Sequence, residues 1–347
     1  MADVNELIGG YKLRTLLQTG QTSQVFEVTE PTSGRHFAMK LLLPEFARDP
    51  VQRSTLFHEA EVGTKLTHQN VIRIYKVNRS QEAPHFIMEF FPSGSLRLRL
   101  QAKDFKFVQD HARKIFREAA TGLAYMNAMG YVHRDVKPDN LLVNSLGDTK
   151  LIDFAITQKI LKGFWAKLMR KRKKPQGTPS FMSPEQIRNE ILDGRADIYS
   201  YGCMLYELTT GRPPFRGTST NDLLSRHLVE KPAPPSAYNK DLTDEFSAFV
   251  LRLLAKKKQD RPENFHEVLI QLRKVPQIYK SIPERPADEE YEGGMDAAAP
   301  REAATSEKPN VICTHCGSKW RARREDGLPA KCGNCRATQD QLRWLNL

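Results

Sequence analysis

The sequence predicts an α+β protein with two unequal lobes, a small mostly β lobe and a larger helical one, followed by a small cysteine-bearing module. Three observations predict it. Short runs of alternating apolar and polar residues fill positions 10–89, and apolar residues spaced three and four apart take over from Leu96 to Ile278. Four of the five cysteines crowd into the last 35 residues. A chain of 347 residues has room for about two ordinary domains and a sizeable core.

In the first lobe, about 10–91, the runs YKLRTLLQ, SQVFEVTE, HFAMKLLL and HFIMEFF read as strands, with one helical stretch near Leu56–Leu66. In the second lobe, about 92–278, the segments HARKIFREAATGLAYMNAMG, DIYSYGCMLYELTTG and TDEFSAFVLRLLAKK carry helical periodicity. The two lobes form one domain over 10–278. Residues 279–310 read as an acidic Ala/Pro-rich linker, since 281–310 holds eight acidic and three basic residues, and disorder is expected there. Residues 311–347 form the last module. No repeat of 20–50 residues is visible, which excludes a solenoid or propeller. With 39% hydrophobic and 27% charged residues, no window approaches the roughly 18 apolar residues of a membrane span. The opening MADVNELIGGYKL lacks a signal-peptide pattern, so a cytoplasmic location is expected. The net charge of +12 admits an anionic partner or no specific partner.

The strongest chemical signal is HRDVKPDN at 133–140, followed by DFA at 153–155. Together with AMK at 38–40, SPE at 183–185 and QDRPENF around Arg261, these residues resemble the motifs of serine/threonine protein kinases, with a bacterial texture, over residues 11 to about 275. The resemblance implies the bilobal protein kinase fold and an ATP-dependent phosphotransferase acting on Ser or Thr of protein substrates, with Mg²⁺ or Mn²⁺ as the metal. It assigns Asp135 to the acceptor hydroxyl and its proton, Lys137 to the γ-phosphate, and Asn140 and Asp153 to the metal. Lys40 would meet the α- and β-phosphates and pair with Glu59. Gly20, Val25 and Ala38 would line the nucleotide, with Met88 as gatekeeper and the backbones of Glu89 and Phe91 facing adenine. It further pairs Glu185 with Arg261 and has Asp197 brace the catalytic loop.

The sequence departs from the family pattern at three places. The phosphate-covering loop reads Gln18-Thr19-Gly20-Gln21-Thr22-Ser23-Gln24-Val25 and keeps one glycine where three are usual, which predicts weaker nucleotide binding. Ala155 replaces the glycine after Asp-Phe, and Gly63 lies inside the helix of Glu59, where glycine costs about 1 kcal/mol relative to alanine. A pseudokinase scaffold that serves as an interaction protein is therefore the alternative reading. Cys203, among apolar residues at helical spacing, reads as a small buried hydrophobe.

Cys313, Cys316, Cys332 and Cys335 form C-x2-C…C-x2-C, a spacing that suits tetrahedral Zn²⁺. Four thiolates leave no open position, so the metal of this zinc ribbon would be structural. Between Asp153 and Glu185 lies the run KGFWAKLMRKRKK at 162–174, with seven basic residues, which suits an acidic protein or anionic surface. A solvated loop is the plainer reading, and nucleic acid is not expected. No Ser, Thr or Tyr stands between Gln158 and Gly177, so the phosphate switch common in relatives has no acceptor there.

Overall fold

A computed structural model describes residues 6–160, 176–282, 311–313, 319–320 and 342–344. They fall into two units, the first ending at Ile282. It opens with an antiparallel sheet of β1 (Leu7–Ile8), β2 (Tyr11–Thr19), β3 (Ser23–Thr29), β4 (His36–Leu42), β5 (Ile74–Asn78) and β6 (His85–Glu89), ordered β1-β2-β3-β4-β6-β5. Alternation decides its faces. Phe37, Met39 and Leu41 of β4 join Leu13, Phe26, Val28 and Ile87 in one apolar cluster, which leaves Ala38 and Lys40 on the opposite face. Val25 pairs with Lys40, and Met88 with Ala38, so both belong to that second face. Of the strands in this sheet, the sequence analysis did not find β1 or, further along the chain, β5. The burial of β5 falls from a buried Ile74 to exposed Tyr75 and Lys76, so no alternation marks it.

Helix α1 (Pro50–Thr64) begins six residues before the predicted stretch because its start signal is polar. The Asp49 side chain accepts from the N–H groups of Val51 and Gln52, and Pro50 supplies a pre-set first turn. The helical lobe holds α2 (Leu96–Gln101), α3 (Phe105–Ala128), α4 (Pro184–Ile187), α5 (Gly194–Thr210), α6 (Thr220–Val229), α7 (Asp244–Leu253) and α8 (Phe265–Lys274). Short strands β7 (Gly94–Ser95), β9 (Leu141–Val143) and β10 (Thr149–Leu151) form one ladder, and β8 (Tyr131–Val132) pairs with β11 (Gln158–Lys159).

Helix α3 buries Val108, Ala112, Ile115, Phe116, Ala119, Leu123 and Met126, one stripe at helical spacing. Helix α5 is buried nearly all round from Ala196 to Thr209, as expected of a helix at the centre of a lobe. Phe116 stacks on Phe246 at 6.0 Å, and Tyr201 meets Phe265 edge-on at 5.7 Å while its hydroxyl donates to the Phe116 carbonyl. Each such side chain contributes about 1.5–3 kcal/mol through burial. Cys203 is fully buried and burial pushes its thiol well up, in keeping with a packing role. Packing continues past residue 278: Leu242 bridges to Tyr279, and Ile278 and Tyr279 are buried.

The second unit contributes a small antiparallel sheet of β12 (Val311–Cys313), β13 (Lys319–Trp320) and β14 (Leu342–Trp344), ordered β13-β12-β14. The linker from residue 283 on, the basic run 162–174 and the side chains of the four cysteines lie outside the described residues. No cluster of three or more His, Cys, Asp or Glu side chains placed to share a metal ion appears among the described residues, and none of the described helices is long and apolar enough to cross a membrane.

Candidate active site

Strand β8 delivers the chain to His133, and a single 3-10 turn, Pro138–Asn140, returns it to β9. Asp197, fully buried on α5, fixes this loop by accepting from the N–H groups of His133 (2.8 Å) and Arg134 (2.9 Å) and from Asn127 (3.2 Å). Burial pushes the Asp197 carboxyl up, and His133 and these donors oppose the shift. The loop needs this support because Arg134 sits at φ 72°, a left-handed conformation costly for a residue with a Cβ.

The Asp135 carboxylate is held from several sides. Lys137 Nζ donates to it at 2.6 Å, Asn140 Nδ2 at 3.1 Å, and Thr178 through its hydroxyl (2.8 Å) and its N–H (3.0 Å). Thr178 in turn accepts from Lys137 at 2.7 Å. A carboxylate so oriented beside an ammonium can position an acceptor hydroxyl and take its proton. Because the Asn140 nitrogen also donates to the Asp135 carbonyl at 2.8 Å, its amide oxygen is left to accept from, or coordinate, a further group.

Asp153 has φ 67°, and its carboxylate accepts from the Ala155 N–H at 3.2 Å. Burial pushes the Asp153 carboxyl up, but Lys40, that N–H, His133 and Lys137 outweigh burial and hold it below the usual carboxylate range. It is therefore a charged oxygen donor at neutral pH, the chemistry that Mg²⁺ or Mn²⁺ selects, so the residues present fit such an ion. Alanine at 155 does not disturb this contact, which uses only the backbone N–H of residue 155.

Lys40 reaches from the sheet to Glu59 of α1 at 2.6 Å. Burial alone would lower the Lys40 ammonium, yet Glu59 and Asp153 hold it above its ordinary value. Burial pushes Glu59 up, Lys40 opposes that, and the Phe154 N–H also hydrogen-bonds to Glu59. Gly63, one turn on, has a reason the sequence did not disclose. A Cβ there would stand 2.3 Å from Ile74 and 3.1 Å from Phe154, so the glycine makes room for β5 and for the residue after Asp153.

Around the nucleotide face, the Glu89 N–H is spent on the Arg73 carbonyl (2.8 Å), which leaves the Glu89 carbonyl as an acceptor. Gly20 closes the β2–β3 turn by donating to the Ser23 carbonyl at 2.8 Å. The structure thus places Val25, Ala38, Lys40 and Met88 on one sheet face, and gathers Asp135, Lys137 and Asn140 into one loop. The expected pair of Glu185 and Arg261 is present at 2.7 and 3.0 Å.

Two contributors went unnoticed in the sequence. Arg97 of α2 joins Asp139, beside Asn140, to Glu207 of α5 at 3.1 and 2.8 Å. His133 Nε2 donates to the Ile152 carbonyl (3.1 Å), and its ring meets Phe154 edge-on at 6.0 Å. For Arg97 the partners are 42 and 110 residues away, so no local pattern could have revealed it.

Comparison with known proteins agrees with this geometry. Residues 11–271 match the protein kinase domain family. The chain is 32% identical over 273 residues to the probable serine/threonine-protein kinase PknB of Corynebacterium glutamicum, covering 76% of this chain and 42% of the relative. It is 31% identical over 276 residues to the probable serine/threonine-protein kinase SCO3848 of Streptomyces coelicolor, covering 78% and 41%. It is 30% identical over 277 residues to the serine/threonine-protein kinase PknB of Mycobacterium tuberculosis, covering 79% and 43%. The chain spans less than half the length of these curated relatives.

Proposed function

Because the chain belongs to the protein kinase family, we propose that it transfers the γ-phosphoryl group of Mg-ATP to serine or threonine hydroxyls of protein substrates, in the cytoplasm. The observation that carries this reading is the Lys40–Glu59 contact at 2.6 Å, formed while Asp153 is held charged nearby. Bound Mg-ATP supplies the phosphoryl group and neutralises charge on its oxygens. This chain's residues orient and move the proton. Asp135 aims the acceptor hydroxyl and receives its proton, and Lys137 places positive charge beside the phosphoryl oxygens. Asn140 and Asp153 hold the metal, and Lys40 meets the inner phosphates. Val25, Ala38 and Met88 wall the adenine, the Glu89 carbonyl and Phe91 N–H take its polar edge, and the Gly20 turn covers the phosphates.

Transfer of radiolabelled phosphate to a generic basic protein tests the proposal. Asp153→Asn should lower the rate at least about a hundredfold, since it removes charge stabilisation worth several kcal/mol. Equal rates in wild type and variant would refute the enzyme reading. The scaffold alternative, drawn from the loop with one glycine, finds no favouring observation in the site's geometry.

Two finer proposals accompany this one. Cys313, Cys316, Cys332 and Cys335 bind one structural Zn²⁺, supported by their spacing. The run 162–174 meets an acidic protein or anionic surface, supported by its seven basic residues.

A further inference from the structure

The stretch from Phe154 to Ile160 is tied down residue by residue, and one of the ties comes from a histidine that the catalytic motifs do not include. The Phe154 N–H bonds to Glu59, and the Thr157 N–H to the Phe154 carbonyl at 3.1 Å. Arg134 Nη1 donates to the Ile156 carbonyl at 3.1 Å. Gln158 and Lys159 pair with Val132 and Tyr131, and the Ile160 N–H reaches the Gly130 carbonyl at 2.7 Å. All of these partners except Glu59 lie in the stretch itself, in β8 with the preceding Gly130, or in the catalytic loop. The second tie to helix α1 is His58, whose Nε2 lies 2.7 Å from the Thr157 carbonyl oxygen across 99 residues of sequence. A carbonyl can only accept, so Nε2 carries the proton and donates.

We propose that His58 is a positioning residue, which latches helix α1 to the segment after Asp153 and so holds Glu59 against Lys40 without a phosphate. This rests on the kinase reading. His58 and Glu59 are adjacent on α1, so a helix held by His58 at Thr157 keeps Glu59 in reach of both the Phe154 N–H and Lys40. If α1 swung outward, the His58 and Glu59 contacts would break together, because one rigid helix carries both. The need for such a latch follows from the sequence, which offers no Ser, Thr or Tyr between Gln158 and Gly177 that a phosphate could use. Arg134 fits the same account. It has no ion-pair partner among the described residues; its Nη1 donates to the Ile156 carbonyl, while its buried Nε meets no acceptor among them. Order here comes from neutral carbonyl acceptors, which need no modification to be in place.

The test compares wild type, His58→Ala and His58→Gln in the full chain. His58 is exposed on its helix, and both replacements are better helix formers, so the fold is not at stake. Glutamine's terminal N–H₂ can take the place of Nε2–H. Hydrogen exchange of the peptide spanning 153–160 and steady-state kinetics with a Ser/Thr peptide are read together. In His58→Ala, exchange should quicken and kcat fall by about fivefold to tenfold, the value of one net hydrogen bond, with KM for ATP within about twofold. His58→Gln should restore both to within about threefold of wild type. Unchanged exchange in His58→Ala would overturn the latch, as would His58→Gln proving as impaired as alanine. Faster exchange with kcat unmoved would make the bond structural only and overturn the positioning role. Should the wild type transfer no phosphate at all, the kinase reading fails, and the exchange comparison still judges the latch.

Discussion

Glu59 and Glu185 are both buried carboxylates paired with a cation from a distant part of the chain, and their surroundings differ in every other respect. Arg261 commits all five donors: two to Glu185 at 2.7 and 3.0 Å, and three to the carbonyls of Ala255, Arg195 and Lys256. Its side chain is 0% exposed and that of Glu185 4%. Such a pair has nothing left to offer a ligand and is made to be permanent. Among the described residues Lys40 makes a single side-chain hydrogen bond, to Glu59, and its side chain is 19% exposed. An ammonium with rotatable donors to spare can keep its carboxylate and also meet phosphate. The same pairing of charges thus serves as a fastener in the helical lobe and as an adjustable contact at the nucleotide face.

The contrast is broken or sharpened by three measurements. Arg261→Ala leaves Glu185 buried without its partner and should destabilise the protein by about 3–5 kcal/mol, read from denaturant unfolding. A loss below about 1 kcal/mol would mean the pair is no fastener. Next comes His227, fully buried beside Lys256 in the same lobe, where burial and then Lys256 hold its imidazole down at about 3. A depressed histidine binds fewer protons folded than unfolded. Its contribution is therefore present above the unfolded value near 6.5 and is lost as pH falls towards 3. Between pH 6 and 4, wild type should lose up to about 1.4 kcal/mol per pH unit more than His227→Gln. Parallel curves would show that the fastened lobe carries no such penalty. Smallest in stability is Lys40→Met, expected to cost about 1 kcal/mol because Glu59, already pushed up by burial, can take a proton instead. Phosphate transfer should nonetheless fall at least about a hundredfold, since the inner phosphates lose their cation. A stability loss as large as that of Arg261→Ala would erase the distinction.

Much of the site was legible because its residues are close in sequence or fixed in order. HRDVKPDN needs only a short loop to bring Asp135, Lys137 and Asn140 together, and AMK needs only a strand's alternation to aim Ala38 and Lys40 at one face. Helix α1 was placed too late because its start is written in Asp49 and Pro50, polar signals that a search for apolar periodicity passes over. Gly63 read as a weakness, and its meaning depended on how near Ile74 and Phe154 come, distances that no spacing encodes.

What the sequence determined by itself was therefore the order of the lobes, the chemical identity of the proposed catalytic set and the absence of Ser, Thr or Tyr between Gln158 and Gly177. These are properties of local pattern and composition, which survive in one dimension. The tertiary structure alone decided which distant groups meet around the catalytic loop. His58 meets Thr157 across 99 residues, and Arg97 meets Glu207 across 110. Such bonds join groups whose separation along the chain carries no periodic signal, so only the packing of α1, α2 and α5 around the catalytic loop brings them within reach.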